Sequence, residues 1–188
     1  LMIQLTYIML TIWATGQNNF GQLGISNINP VKQFSKLSTD PGCTRIIPGN
    51  DGTACIVGKK LYVAGNNNNN KLKNVSNPNF QIFTLQDDYD DVGGVIDMQI
   101  AKEHSIVWAR NGKIYMNGLN SNGQFGNGDF ASGFKKEVKF NFNDEPIIQI
   151  GTDGNFLSFV ITKYNIYFAG FCLKGLCATS SSNNEISG

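Results

Sequence analysis

Along nearly the whole chain, short apolar runs of strand length alternate with polar stretches rich in glycine, asparagine and aspartate. No 3.6-residue periodicity is sustained, so the pattern predicts an all-β chain. The clearest set lies in the middle: Val95–Ala101 reads as a first strand, His104–Arg110 as a second and Lys113–Asn117 as a third. Asn111-Gly112, between the last two, is a strong hairpin signal because both central residues of such a turn want positive φ. Glu137-Val-Lys-Phe-Asn-Phe142 alternates polar and apolar residues, which predicts a half-buried outer strand. The same order recurs as Ile147–Gly151, Phe156–Thr162 and Asn165–Ala169. It recurs again as Arg45–Gly49, Thr53–Val57 and Leu61–Ala64, with a tight turn at Gly58-Lys59. Leu1–Ala14 is apolar but has no basic leader region and runs into the first repeat, so a strand is expected there.

The third strand of each set ends in a glycine. Gly16, Gly65, Gly118 and Gly170 are spaced 49, 53 and 52 residues apart. Self-similarity at this period indicates a repeat architecture of four-stranded units. A polar loop follows the glycine and closes on a second glycine pair. It reads Gly16-Gln-Asn-Asn-Phe-Gly21-Gln22-Leu-Gly24 in the first copy and Gly118-Leu-Asn-Ser-Asn-Gly123-Gln124-Phe-Gly126 in the third.

This loop, with the His104-Ser105 strand start, resembles the regulator of chromosome condensation repeat. The resemblance covers roughly 11–178. It implies β-propeller blades of four antiparallel strands, expected at 1–40 (partial), 41–92, 93–145 and 146–188 of a single propeller segment. Gly16, Gly21, Gln22, Gly24, Gly65, His104, Gly118, Gly123, Gln124, Gly126 and Gly170 are then framework residues of the repeat. The second copy departs, with the Asn66–Asn70 run and Lys71-Leu72 in place of the glycine pair. The fourth has Phe171-Cys-Leu-Lys-Gly-Leu-Cys177. The asparagine run reads as low-complexity drift in a surface loop, of a kind associated with protist sequences. The signatures of kelch and WD-type propellers are missing.

Chemistry is scarce. His104 is the only histidine, and nothing in the sequence supplies it with a nucleophile or a second metal ligand, so a core or loop-bonding role is expected. No phosphate loop, zinc-protease motif or hydrolase elbow occurs, and no cofactor or metal is expected. Trp13 and Trp108 read as core. Cys55 falls in a strand and reads as a buried free thiol; Cys172 and Cys177 flank a loop, and reduced thiols are favoured. Asp87, Asp88, Tyr89, Asp90 and Asp91 form an acidic stretch, the candidate partner-binding loop against a solvated-surface alternative. Lys71-Leu-Lys73 and Lys135-Lys136 read as solvated surface.

The chain has 188 residues and a net charge of +1, so no global field draws it to nucleic acid. No stretch reads as a membrane span. The expected function is therefore a non-catalytic scaffold or partner-binding module. The resemblance implies a protein partner, either a small GTPase of the Ran type acted on by nucleotide exchange or a larger complex. It also implies a cytoplasmic or nuclear setting, with cytoskeletal or ciliary scaffolds in the same family. Exchange would call for a wedge, and 66–91 is its candidate. The family ring has about seven blades, against three and part of a fourth in this chain. Remaining blades or a second chain are expected to close it.

Overall fold

The structure is a computed structural model and describes residues 11–37, 41–139, 142, 144–171 and the backbone of 185–186. The first sheet pairs β1 (Trp13–Gly16) with β2 (Val31–Lys36). The second holds β3 (Arg45–Pro48), β4 (Gly52–Val57), β5 (Lys60–Asn66) and β6 (Asn79–Gln86). The third holds β7 (Val95–Ile100), β8 (His104–Ala109), β9 (Ile114–Gly118) and β10 (Gly133–Glu137). The fourth holds β11 (Ile147–Thr152), β12 (Leu157–Thr162), β13 (Ile166–Phe171) and β14 (Glu185–Ile186). Within every sheet the strands lie in chain order and each neighbour is antiparallel. Among the described residues there is no α-helix; two 3-10 turns, Asn68–Asn70 and Asp90–Val92, flank β6.

Each sheet buries both faces because successive side chains point to opposite sides of a strand. On β4, Ala54 and Ile56 face the third sheet, where Val95, Met98, Val107 and Tyr115 meet them. Cys55 and Val57 face the first sheet and pack with Ala14, Ile25 and Leu37. The third sheet turns Ile106, Ile114 and Met116 toward Ile150 and Val160 of the fourth. Three apolar layers thus fill the gaps between four sheets. The inner strands β3, β7 and β11 lie side by side, and Arg45 on β3 pairs with Asp97 on β7 at 2.8 Å.

The glycine at the end of the third strand is a close-approach point. Gly65, Gly118 and Gly170 have φ of +107°, +102° and +116°. A Cβ at these positions would stand 2.5, 2.4 and 2.1 Å from the carbonyl oxygens of Asp51, Glu103 and Phe156. Only glycine combines this backbone with that contact.

Several sequence expectations change. The outer strand of the third sheet is Gly133–Glu137, not 137–142; it hydrogen-bonds to β9 across a bulge, and Val138 and Phe142 fold back on the core instead. Cys55 is not a free thiol: it forms a disulfide with Cys43, with Cα atoms 5.5 Å apart, beneath the first sheet. Trp13 is not core, because it is 56% exposed on the face that the first sheet turns away from the second. Trp108 is half-buried against the fourth sheet. Leu1–Leu10, Cys172, Gly175 and Cys177 lie outside the described residues.

Candidate functional site

The loop after each third strand is held by one buried asparagine. Asn18 Oδ1 accepts the backbone N–H of Leu23 at 2.9 Å, and Asn120 Oδ1 accepts that of Phe125 at 2.8 Å. Their amide nitrogens donate across the loop, to Asn27 O at 2.7 Å and to Asp129 O at 2.8 Å. In the second sheet, Asn67 does the same work. Its Oδ1 accepts Leu72 N at 3.0 Å and Lys73 N at 2.9 Å, and its Nδ2 donates to the carbonyls of Lys73, Val75 and Asn77. Backbone groups that would otherwise be orphaned are satisfied by one side chain that both donates and accepts.

The asparagine run is therefore not surface drift. Asn66 and Asn67 are buried, and the run carries the loop of the first and third copies in different letters. Asn70, at φ +58°, stands where Gly21 and Gly123 stand at φ +80° and +70°. Asparagine is among the residues that adopt this left-handed conformation most readily.

The next position carries the larger change. Gln22 and Gln124 accept the N–H of Phe20 and Asn122 through Oε1 at 3.0 and 2.8 Å. Lys71 occupies the same place, fully buried, although the sequence alone suggested solvated surface. Its Nζ donates to Asp51 Oδ1 at 2.5 Å and to Lys102 O at 2.5 Å. Asp51 Oδ2 accepts a further bond from Asn66 Nδ2 at 2.7 Å. Burial lowers the Lys71 pKa from its usual value, and the Asp51 carboxylate opposes that shift.

Hydroxyls tie each loop to the next sheet. Thr53 Oγ1 donates to Gln22 O at 2.7 Å, and Ser105 Oγ donates to Lys71 O at 2.6 Å. Asn117 Nδ2 donates to Ser105 Oγ at 3.0 Å, and the Tyr89 hydroxyl donates to Asn117 Oδ1 at 2.9 Å. A buried polar chain thus runs from Asp51 through Lys71, Ser105 and Asn117 to Tyr89. His104 sits at the parallel junction of the third and fourth sheets. It is fully buried, with Nε2 2.8 Å from Ser158 Oγ. Burial pushes its pKa down to about 4, so the ring is neutral at physiological pH. The adjacent Asp153 carboxylate accepts the N–H groups of Asn155 and Leu157 at 2.8 and 2.9 Å. This constellation is a sealed hydrogen-bonded junction. Among the described residues, no group of His, Cys, Asp and Glu is placed to hold a metal ion.

The acidic stretch folds onto the protein's own lysines. Tyr89 is buried, edge-on to Tyr115. Lys73 pairs with Asp87, and Lys135 pairs with Asp91 while its Nζ lies 5.5 Å from the Tyr89 ring centre. These contacts hold the Asp87 and Asp91 carboxyls below their ordinary pKa. Asp88 has one buried oxygen without a hydrogen-bond partner, and Asp90 is exposed. The stretch 66–91 is the pinned loop, the outer strand β6 and this turn; it is not an added wedge. Sequence reasoning missed Asn67, Lys71 and Asp51. Aligning the second copy on Gly65 position by position, rather than by letter, would have exposed the first two.

Sequentially ordered four-stranded sheets, stacked face to face with their inner strands adjacent, are the blades of a β-propeller of the regulator of chromosome condensation type. No family model and no curated protein matches the chain. Solved structures do. Human WBSCR16 superposes with a TM-score of 0.73 at 18% identity over 93% of this chain and 46% of that one. Prp20p from Saccharomyces cerevisiae, described with its binding to Gsp1p and histones, superposes with a TM-score of 0.60 at 20% identity over 75% of this chain and 37% of that one. Yeast RCC1 (Prp20) bound to Kap60 gives 0.65 at 19%, covering 86% and 37%. The chain spans less than half the length of each of these propellers. No helix among the described residues is long and apolar enough to cross a membrane.

Proposed function

We propose that the chain is a non-catalytic protein-binding module, part of a propeller whose loops carry the recognition. One observation carries the reading: the inter-strand loops are pinned from within by buried asparagines while their tips stay exposed. A loop that is already ordered loses little entropy when a partner docks. Units at 1–40, 41–92, 93–145 and 146–188 present these loops in series. The polar residues at 87–91 offer a second surface, with Asp90 as its freest charge. The partner is a protein reached in the cytoplasm or nucleus, with the cytoskeleton or cilium as a further setting.

The narrower reading is nucleotide exchange on a small GTPase of the Ran type. It is favoured by the likeness to Prp20p, a structure described with Gsp1p binding. Both readings are tested by presenting the immobilised chain to purified small GTPases and histones, and by following release of labelled GDP. Binding without faster release supports the scaffold; faster release supports exchange. Absence of binding to every protein offered, with the ring completed, overturns both.

A further inference from the structure

The repeat allows the two faces of each sheet to be compared position by position. On the face turned to the following sheet, Leu61 and Val63 of the second sheet match Ile114 and Met116 of the third. All four are buried, Leu61 and Ile114 at 1% exposure. The fourth sheet has Ile166 and Phe168 at these positions, exposed at 56% and 36%. On the face turned to the preceding sheet, Trp13 matches Tyr62 and Tyr115. Tyr115 is buried against Leu61 and Val63, and Tyr62 packs against Ala14 of the first sheet. Trp13 is 56% exposed. Each internal interface therefore sets aliphatic residues of one sheet against an aromatic residue of the next. The chain ends in one unmatched face of each kind.

We propose that these two faces are halves of one interface and that the occupant is a second copy of this chain, arranged head to tail in a closed twofold ring. This rests on the partial-propeller fold and is independent of which protein the loops bind. Three observations favour a second copy. The open faces are complementary in the same sense as the internal ones. The chain covers 46% of the human WBSCR16 propeller with a TM-score of 0.73, so two copies supply about one ring at the same blade-to-blade step. Apolar faces of this kind in water are association sites. Twofold symmetry makes both new interfaces identical, so Trp13 of each copy lies on Ile166 and Phe168 of the other.

Light scattering on the purified chain tests this. A single species at twice 20.6 kDa is expected, falling to one copy with Ile166→Asp and, separately, with Trp13→Asp. Both positions are exposed, so circular dichroism should report unchanged β-structure. Mixing the two variants is the decisive arm. Each retains one intact face, so the mixture regains a two-copy species through the single good pairing of Trp13 with Ile166. A folded native chain of one copy, aggregates without a discrete dimer, or a mixture that stays at one copy overturns the proposal. Binding of a GTPase or histone by the loops leaves these masses for the chain alone unaffected.

Discussion

Lys71 and Asp51 form the buried ion pair of the second loop, and separating them should cost different amounts from the two sides. At 2.5 Å their attraction is about 7 kcal/mol at an effective dielectric constant near 20. Desolvating each ion costs several kcal/mol, so the pair as a whole contributes little net stability. Removing one partner is different, because the other stays buried and unpaired at a cost of about 3–5 kcal/mol. Lys71 has no exposed side-chain surface, whereas the Asp51 side chain keeps 11%. Asp51→Asn should therefore fall at the upper end, with the ammonium left to the Lys102 and Ala101 carbonyls. Lys71→Gln should fall at the lower end, because Asp51 keeps its Asn66 bond and can be reached by water. The double variant should cost less than the sum of the two. In urea titrations and thermal melts, each single variant should lower the midpoint by about 10 °C for a chain of this size. The Asp51→Asn deficit should shrink as pH rises toward 10.5, because the unfolded chain then binds a proton that the buried amine has lost. Single variants within about 1 kcal/mol of the native chain, or a double variant worse than the sum, would refute the reasoning.

His104 has a folded pKa of about 4, below its ordinary 6.5. The unfolded chain binds more protons between these values, so stability present above pH 6.5 is lost toward pH 4, by about 3 kcal/mol through this group. Urea titrations at pH 7 and 4 check this, and His104→Gln should lack that component. Asn67→Ala removes two accepted and three donated bonds from a buried loop and should cost about 3 kcal/mol, read from the shift in urea midpoint. Reducing Cys43–Cys55, which closes a 12-residue separation, should lower stability by about 3 kcal/mol; parallel melts with and without reductant measure it.

Much of the blade was legible in the chain. Positive φ and close approach demand glycine at 65, 118 and 170, so those letters marked the period. Asn111-Gly112 marked its hairpin for the same kind of reason. Strand order followed, because short turns force antiparallel neighbours. The second loop was misread because its backbone demands were met by other residues. Asn70 can take a left-handed conformation without being glycine, and Lys71 can replace glutamine only when Asp51 lies within reach. That pairing spans 20 residues of sequence, and no local pattern announces it.

The acidic stretch shows the same divide. Its charge was plain in the sequence, but its neutralisation by Lys73 and Lys135 depends on strands brought together from elsewhere. Likewise Trp13 and Tyr115 are equivalent letters in the repeat, one exposed and one buried, because only one has a preceding sheet to meet. The chain by itself determined the repeat, the strands and their order, since these rest on backbone conformation and period-two alternation within a few residues of one another. The tertiary structure alone decided which polar groups are buried together, which cysteines join and which blade faces stay open. Those outcomes depend on distances between segments some fifty residues apart, and such distances exist only once the sheets have stacked.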